Sequence, residues 1–107
     1  MDILHTQLHN NIMICRLNRP DRLNALSAEL LQMLDNTFSD VKQNAAIRAV
    51  LLVGNGKSFC AGADINRLAE CNGITGYDFA VAGQQVMSRI EKLGKPVLAA
   101  LHGHVLG

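Results

Sequence analysis

One uninterrupted run of apolar residues constrains the fold more than any other feature of the chain. Residues 49–53 read Ala-Val-Leu-Leu-Val and are closed at once by Gly54-Asn55-Gly56. A run of this length without polar alternation, ended by turn residues, is the pattern of a β-strand buried on both faces. Strands of this kind are usually parallel and central, which predicts a sheet covered by helices.

Two segments, one on each side of this run, have helical periodicity. Ser27 is a favourable N-cap with Glu29 in the first turn, and the pattern ends near Asn44, which predicts a helix of about 17 residues. Its apolar stripe consists of Leu30, Leu31, Leu34, Phe38 and Val41. A second helical pattern begins at Tyr77 and reaches its C-cap near Gly94. Its predicted inward-facing residues are Phe79, Val86, Met87, Ile90 and Leu93.

Short β-prone runs complete the pattern. Residues 3–8 and 12–17 are separated by His9-Asn10-Asn11, and asparagine tolerates the left-handed backbone of a tight hairpin turn. Pro96 prevents the second helix from continuing, and residues 97–101 are predicted to form another short buried strand. The order predicts an α/β fold, in which an opening β-hairpin is followed by right-handed βαβ units.

Composition and charge exclude several classes of protein. Ten Lys and Arg residues against nine Asp and Glu give a net charge of +1, and no segment gathers the basic residues into a stripe. We therefore expect no nucleic-acid partner and no membrane partner. The longest apolar stretch, residues 97–101, is about a quarter of the length that a membrane-spanning helix needs. Three cysteines without CxxC spacing, and an N-terminus without the apolar run of a signal peptide, indicate a reducing, cytoplasmic setting.

Three familiar motifs are incomplete. Gly56-Lys57-Ser58 is similar to the end of a phosphate-binding P-loop, but Leu51 occupies the position of the required first glycine. His102 and His104 would share one face of an extended strand, yet we interpret them as ordinary histidines beside a turn and expect no metal site. The sequence identifies no base for Cys60, so we interpret it as a small packing residue rather than a nucleophile.

Residues 56–65 have more specific chemistry. They join the buried strand to a predicted short helix through residues with almost no side chain, among them Ala61, Gly62 and Ala63. Small residues let a ligand approach the main chain closely, and successive N–H groups entering a helix form an electropositive cup for a developing oxyanion. Asp64 would cap that helix. The same composition suits an ordinary βα loop, and the residues alone leave both interpretations open.

Three segments carry a resemblance to a known family. They read FCAGADI at residues 59–65, LNRPDRLNAL at residues 17–26 and KPVLAALHGHVLG at residues 95–107. The first resembles the first oxyanion loop of the crotonase superfamily, the enoyl-CoA hydratase/isomerase family. The second resembles the N-terminal signature of that family, and the third resembles a later segment that contains the family's glycines. The three matches occur in the family's order and span nearly the whole chain.

The resemblance implies roles for individual residues. The backbone N–H of Ala63 would be one of two donors that polarise the thioester carbonyl and hold the enolate. Ala61 and its neighbours would contact the adenine end of coenzyme A, while Asp64 and Ile65 would line the acyl channel. Arg22 matches a basic position near the nucleotide phosphates, but a neighbouring position can supply that group, and a solvated turn charge is the alternative. The implied substrate-binding set is Arg22, Ala25, Ala61, Gly62, Ala63, Asp64, Ile65, Leu106 and Gly107.

The resemblance also implies an architecture and an activity. The fold would be the N-terminal part of a crotonase-like ββα spiral, with residues 1–107 forming a single portion that ends before the catalytic carboxylates. Family members form trimers or paired trimers and act in fatty acid metabolism, and coenzyme A is part of the substrate, with no separate cofactor. The implied activity is hydration or isomerisation of an enoyl-CoA, and we expect the 107-residue chain alone to be inactive. The alternative is a non-catalytic CoA-binding or assembly fragment of the same fold.

Overall fold

The computed structural model describes residues 3–22, 24–56, 60 and 73–100, which form one four-stranded sheet and two α-helices. In chain order the elements are β1 (Leu4–His9), β2 (Ile12–Leu17), a short 3-10 helix (Pro20–Arg22), α1 (Ala28–Gln43), β3 (Ala49–Gly54), α2 (Gly73–Glu91) and β4 (Val97–Ala99). The strands lie in the order β1-β2-β3-β4, with β1 antiparallel to β2 and the other neighbours parallel. The predicted α/β order of a hairpin followed by βαβ units is confirmed.

The opening hairpin closes through a two-residue turn. His9 pairs with Ile12, and Asn10 and Asn11 between them have φ angles of 48° and 68°. Asparagine is one of the few residues that occupy this left-handed region at low cost, and two successive positive φ angles suit the twist of a two-stranded ribbon. The predicted turn is confirmed, and its backbone explains why asparagine occupies both positions.

Helix α1 begins and ends where its capping residues predict. The Ser27 hydroxyl accepts a hydrogen bond from the Leu30 N–H at 3.1 Å, and Asn44 is the C-cap. All five residues of the predicted apolar stripe are buried. Near the C-terminus, the Lys95 ammonium donates to the carbonyl oxygens of Val41 and Asn44 at 2.6 and 2.8 Å. This contact places a positive charge at the negative end of the helix dipole.

The core lies between one face of the sheet and the two helices. Besides the α1 stripe, its buried members include Leu4, Cys15, Leu17, Val50, Val86 and Leu93. On β3, which lies between two parallel neighbours as predicted, Val50 faces this core, whereas Leu51 and Val53 on the opposite face are only half-buried. The prediction that β3 is buried on both faces is therefore wrong for the described residues, because both helices pack on the face that contains Val50.

Helix α2 is longer than predicted and turns one predicted core residue outward. The helix begins at Gly73, before the predicted start at Tyr77. Val86 is buried, but Met87 is 58% exposed. Consecutive helical residues point about 100° apart, so the burial of Val86 does not by itself bring Met87 into the core. Neither of the described helices is long and apolar enough to cross a membrane.

Strand β4 is shorter and more exposed than predicted. It contains Val97–Ala99 and ends before Ala100, whereas Leu101 of the predicted run lies outside the described residues. The strand lies at the edge of the described sheet. Val97 is half-buried and Leu98 is 65% exposed. The predicted burial is not observed because, within the described residues, β4 has a neighbouring strand on one side only.

Candidate functional site at the carboxyl ends of two parallel strands

The carboxyl ends of β2 and β3 lie next to each other at one edge of the sheet. Leu17 at the end of β2 is in register with Gly54 at the end of β3. The Asn55 N–H continues the pairing by donating to the Leu17 carbonyl oxygen at 2.8 Å. Open α/β sheets place their ligands just beyond such strand ends, so the segments that leave β2 and β3 form the candidate site.

The segment after β2 is closed by hydrogen bonds into a compact turn. The Arg19 carbonyl oxygen accepts hydrogen bonds from the N–H groups of Arg22 and Asn24 at 2.9 and 2.8 Å. The 3-10 helix Pro20–Arg22 lies inside this closure. Asn24 has a φ of 56°, a left-handed conformation that ends the turn before the chain enters α1.

The Asn24 side chain joins this turn to the segment after β3. Its Oδ1 accepts a hydrogen bond from the Arg19 N–H at 2.8 Å, and its Nδ2 donates to the Asn55 carbonyl oxygen at 2.9 Å. Asn24 is 0% exposed. Asn55 extends the network, since its own Nδ2 donates to the Asn18 Oδ1 at 2.7 Å. Sequence reasoning does not identify this network, and the only signal for it is the asparagine that precedes Ala-Leu in the LNRPDRLNAL segment.

Gly56 lets the two segments approach each other closely. Its φ of 92° lies in the region that favours glycine. A Cβ built on Gly56 would lie 2.9 Å from the Cβ of Pro20, well inside the optimal separation of two carbon atoms. A side chain at position 56 would therefore push the turn away from the end of β3.

Two of the predicted substrate-binding residues lie in the turn after β2. Arg22 ends the 3-10 helix and is exposed, whereas the Arg19 guanidinium donates to the carbonyl oxygen of Ala25. Of the two arginines, Arg22 is therefore the one that a solvent-borne phosphate can reach. Ala25 is 8% exposed, and its N–H donates to the Arg22 carbonyl oxygen at 3.0 Å, so little of its surface remains for a ligand.

Comparison with known proteins identifies the family. The sequence model of the enoyl-CoA hydratase/isomerase family matches residues 12–107. The chain belongs to this family. It is 41% identical over 97 residues to the short-chain-enoyl-CoA hydratase of Clostridium acetobutylicum, and this alignment covers 90% of this chain and 37% of the relative. It is 36% identical over 92 residues to the crotonyl-CoA hydratase of Syntrophomonas wolfei, and this alignment covers 85% of this chain and 35% of the relative.

A solved structure of the enoyl-CoA hydratase/isomerase family has the same fold. The crystal structure of enoyl-CoA hydratase from Bacillus anthracis matches with a TM-score of 0.92 at 31% identity, over 95% of this chain and 40% of that one. The predicted crotonase-like fold is thereby confirmed. The chain spans between 33% and 41% of the length of the first four enoyl-CoA hydratase relatives that it matches, so it corresponds to a part of their fold.

The other predicted site residues of this family member lie outside the described residues. They are Ala61, Gly62, Ala63, Asp64, Ile65, Leu106 and Gly107. The same is true of Lys57, Ser58, His102 and His104 from the incomplete motifs. The role of the Ala63 N–H as an oxyanion donor therefore stays a prediction.

An apolar cavity of about 720 Å³ lies between α1 and α2 over the core face of the sheet. Leu17 and Leu26 connect it to the candidate site, because the first ends β2 and the second precedes α1. The rest of its lining is also mainly apolar and includes Leu31, Leu34, Phe38, Leu52, Cys60, Val86 and Ile90. Its size and lining suit an apolar group such as an acyl chain or the side chains of another protein segment.

The described cysteines, Cys15 and Cys60, are buried thiols. Burial raises the pKa of Cys15 from 9.0 to about 11, because the thiolate would lose its hydration in the core. A thiol with so high a pKa is a poor nucleophile at neutral pH. Cys60 is buried as well, which agrees with its predicted packing role. Within the described ranges, no group of three His, Cys, Asp or Glu side chains is arranged to hold a metal ion.

Proposed function

We propose that the chain forms the coenzyme A-binding and carbonyl-polarising part of an enzyme that hydrates or isomerises enoyl-CoA thioesters. The observation that carries this proposal is the joined pair of segments at the carboxyl ends of β2 and β3. One segment bears the exposed Arg22, and the other leads along the chain toward Ala63. Family membership and the hydratase activities named for the relatives support a CoA thioester as the substrate.

Each part of this site would supply a different interaction. Arg22 would bind a phosphate of coenzyme A through charge-assisted hydrogen bonds. The Ala63 N–H would donate to the thioester oxygen as negative charge develops there, and such a donor is typically worth about 2.7–4 kcal/mol of transition-state stabilisation. By resemblance, the second donor and the acid and base carboxylates match no residue of this sequence. We therefore expect no turnover by the 107 residues alone.

Calorimetric titration of the purified chain with coenzyme A tests the binding role. We expect saturable binding that weakens in Arg22→Ala and at higher salt, since a contact between exposed charges is screened. Arg48→Ala is the matched control, because it removes another exposed arginine next to the amino end of β3, and affinity should not change. The proposal fails if the folded chain does not bind coenzyme A, or if the two arginine variants lose the same affinity.

The predicted oxyanion donor requires a test in a family-length protein that begins with this chain. Ala63→Pro removes the backbone N–H, whereas Ala63→Ser retains it. We expect turnover of an enoyl-CoA to fall about 100- to 1,000-fold in the proline variant and to change little in the serine variant. Equal activity of the two variants would refute the backbone role. Measurable turnover by the 107-residue chain would refute the expectation that it is inactive alone.

A non-catalytic assembly role is the second candidate function. Strand β4 lies at the edge of the described sheet and exposes Leu98, and an apolar edge strand favours pairing with another chain. A homo-oligomer, such as the trimer or paired trimer that the resemblance implies, would cover such an edge. Size-exclusion chromatography with light scattering gives the mass in solution, and a stable monomer would contradict this candidate.

A further inference from the structure

We propose that Asn24 is a positioning residue, which holds the coenzyme A-binding turn at a set distance from the strand end that leads to the oxyanion loop. The inference rests on the proposed function. We call Asn18, Asn24 and Asn55 the asparagine clamp. The clamp connects the two segments through hydrogen bonds of 2.9 Å from Asn24 to the Asn55 carbonyl oxygen and 2.7 Å from Asn55 to Asn18.

The backbone at position 24 does not by itself require asparagine. Its φ of 56° is a conformation that glycine adopts at lower cost. A buried amide is unfavourable unless its polar atoms have partners, and at 0% exposure Asn24 has no access to solvent water. Both halves of the Asn24 amide have protein partners, on Arg19 and on Asn55. The bridge between these two partners, rather than the local conformation, therefore accounts for an asparagine here.

The two segments are held against movement in both directions. The hydrogen bonds of the asparagine clamp resist separation of the turn from the end of β3. The close approach of Gly56 to Pro20 resists movement of the turn toward β3, because there is no space for even a methyl group between them. The distance between the turn that bears Arg22 and the start of the loop that leads to Ala63 is thus set on one side by hydrogen bonds and on the other by steric contact.

This distance matters only to a ligand that is bound at both ends. Free coenzyme A would contact the turn but would have no acyl carbonyl for the oxyanion loop. Acetoacetyl-CoA would make both contacts at once. A second contact on the same ligand adds affinity only where the geometry lets both contacts form together. Loss of the clamp should therefore weaken the binding of acetoacetyl-CoA more than that of coenzyme A.

The test is the ratio of the two dissociation constants, for coenzyme A over acetoacetyl-CoA, measured by calorimetry on the full chain. Asn24→Gly keeps the left-handed backbone and removes the side chain, and we expect the ratio to fall about tenfold, which corresponds to the loss of one hydrogen bond between the protein and the ligand. Asn36→Ala, on the exposed face of α1, is the matched control and should leave the ratio unchanged. Partial unfolding weakens both ligands by the same factor, so a purely structural role of Asn24 does not alter the ratio.

Further variants keep the result interpretable. Asn24→Asp retains the acceptor for the Arg19 N–H but loses the donor to Asn55, and should also lower the ratio. If Asn24→Gly does not fold, Asn55→Ala removes only the exposed bond to Asn18 and should lower the ratio by a smaller factor. An unchanged ratio in these variants overturns the positioning role while the proposed function stands. Equal affinity of the wild-type chain for both ligands also overturns it, and binding of neither ligand overturns the proposed function and this role together.

Discussion

Gly56→Ala adds one methyl group at the point where the turn after β2 meets the end of β3. The substitution has two separate costs. Alanine at a φ of 92° leaves the conformations that an L-residue prefers, and the new Cβ would lie 2.9 Å from the Cβ of Pro20. The neighbouring atom belongs to a proline ring, which cannot rotate away as the end of a flexible side chain would.

The expected loss of stability follows from these two costs. A left-handed alanine costs about 1–2 kcal/mol. Forcing an extra methyl group into a filled space typically costs about 1–3 kcal/mol more. We therefore expect the free energy of unfolding to fall by about 2–5 kcal/mol, which lowers the melting temperature by about 8 °C or more in a chain of this size. Such a loss is a large fraction of the stability of a small domain.

Gly94→Ala separates the two costs. Gly94 also has a positive φ, of 75°, but a Cβ there would have no atom within 4 Å. The free energy of unfolding of Gly94→Ala should therefore fall only by the conformational cost, about 1–2 kcal/mol. The assay is urea unfolding followed by circular dichroism, with the slope of the transition checked to be the same in each variant. The reasoning is refuted if Gly56→Ala is no more destabilising than Gly94→Ala, since the contact with Pro20 would then cost nothing.

Three further predictions test other parts of the fold. Gly83→Ala should raise the free energy of unfolding by about 0.5–1 kcal/mol, because glycine is unfavourable within a helix and a Cβ there would have no atom within 4 Å. A lower melting temperature in this variant would contradict the prediction and show that the space is occupied. Lys95→Met removes the hydrogen bonds to carbonyl groups at the C-terminal end of α1 and should cost about 1–2 kcal/mol in urea unfolding. Lys92→Met, at an exposed lysine just beyond the end of α2, is the control and should cost less. For Cys15, the unfolded thiol ionises near pH 9.0 and the folded one near pH 11, so stability should be unaffected below pH 9 and should fall between these values; Cys15→Ala should remove this part of the pH dependence.

The elements that could be predicted from sequence are those whose cause is local. The hairpin turn depends on Asn10 and Asn11 themselves, and the start of α1 depends on Ser27 and a backbone N–H three residues away. The stripe of α1 follows from the helical period, which is a property of one short segment. The wrong predictions of burial concern β3, β4 and Met87 of α2, because burial depends on what covers each face and edge of an element, and the predicted start of α2 is too late.

The candidate site likewise contains residues that could be predicted from the sequence and contacts that could not. Arg22 could be singled out because the LNRPDRLNAL segment resembles a family motif, and Ala63 for the same reason in FCAGADI. The contact between Asn24 and Asn55 could not be predicted from the sequence, since 31 residues separate them and neither lies in a pattern that indicates the other. The close approach of Gly56 to Pro20 is equally invisible in a sequence, because a glycine is compatible with many backbone conformations.

The sequence by itself therefore determined the family, the order of strands and helices, the ends of α1 and the turn of the hairpin. Each of these depends on residues that are neighbours along the chain or on motifs read in order. Only the tertiary structure decided that both helices cover a single face of the described sheet, that β4 is an edge strand, and that a buried asparagine connects the ends of β2 and β3. These features arise when parallel strands bring distant segments side by side, and the resulting hydrogen bonds and steric contacts are properties of the packed chain rather than of any one segment.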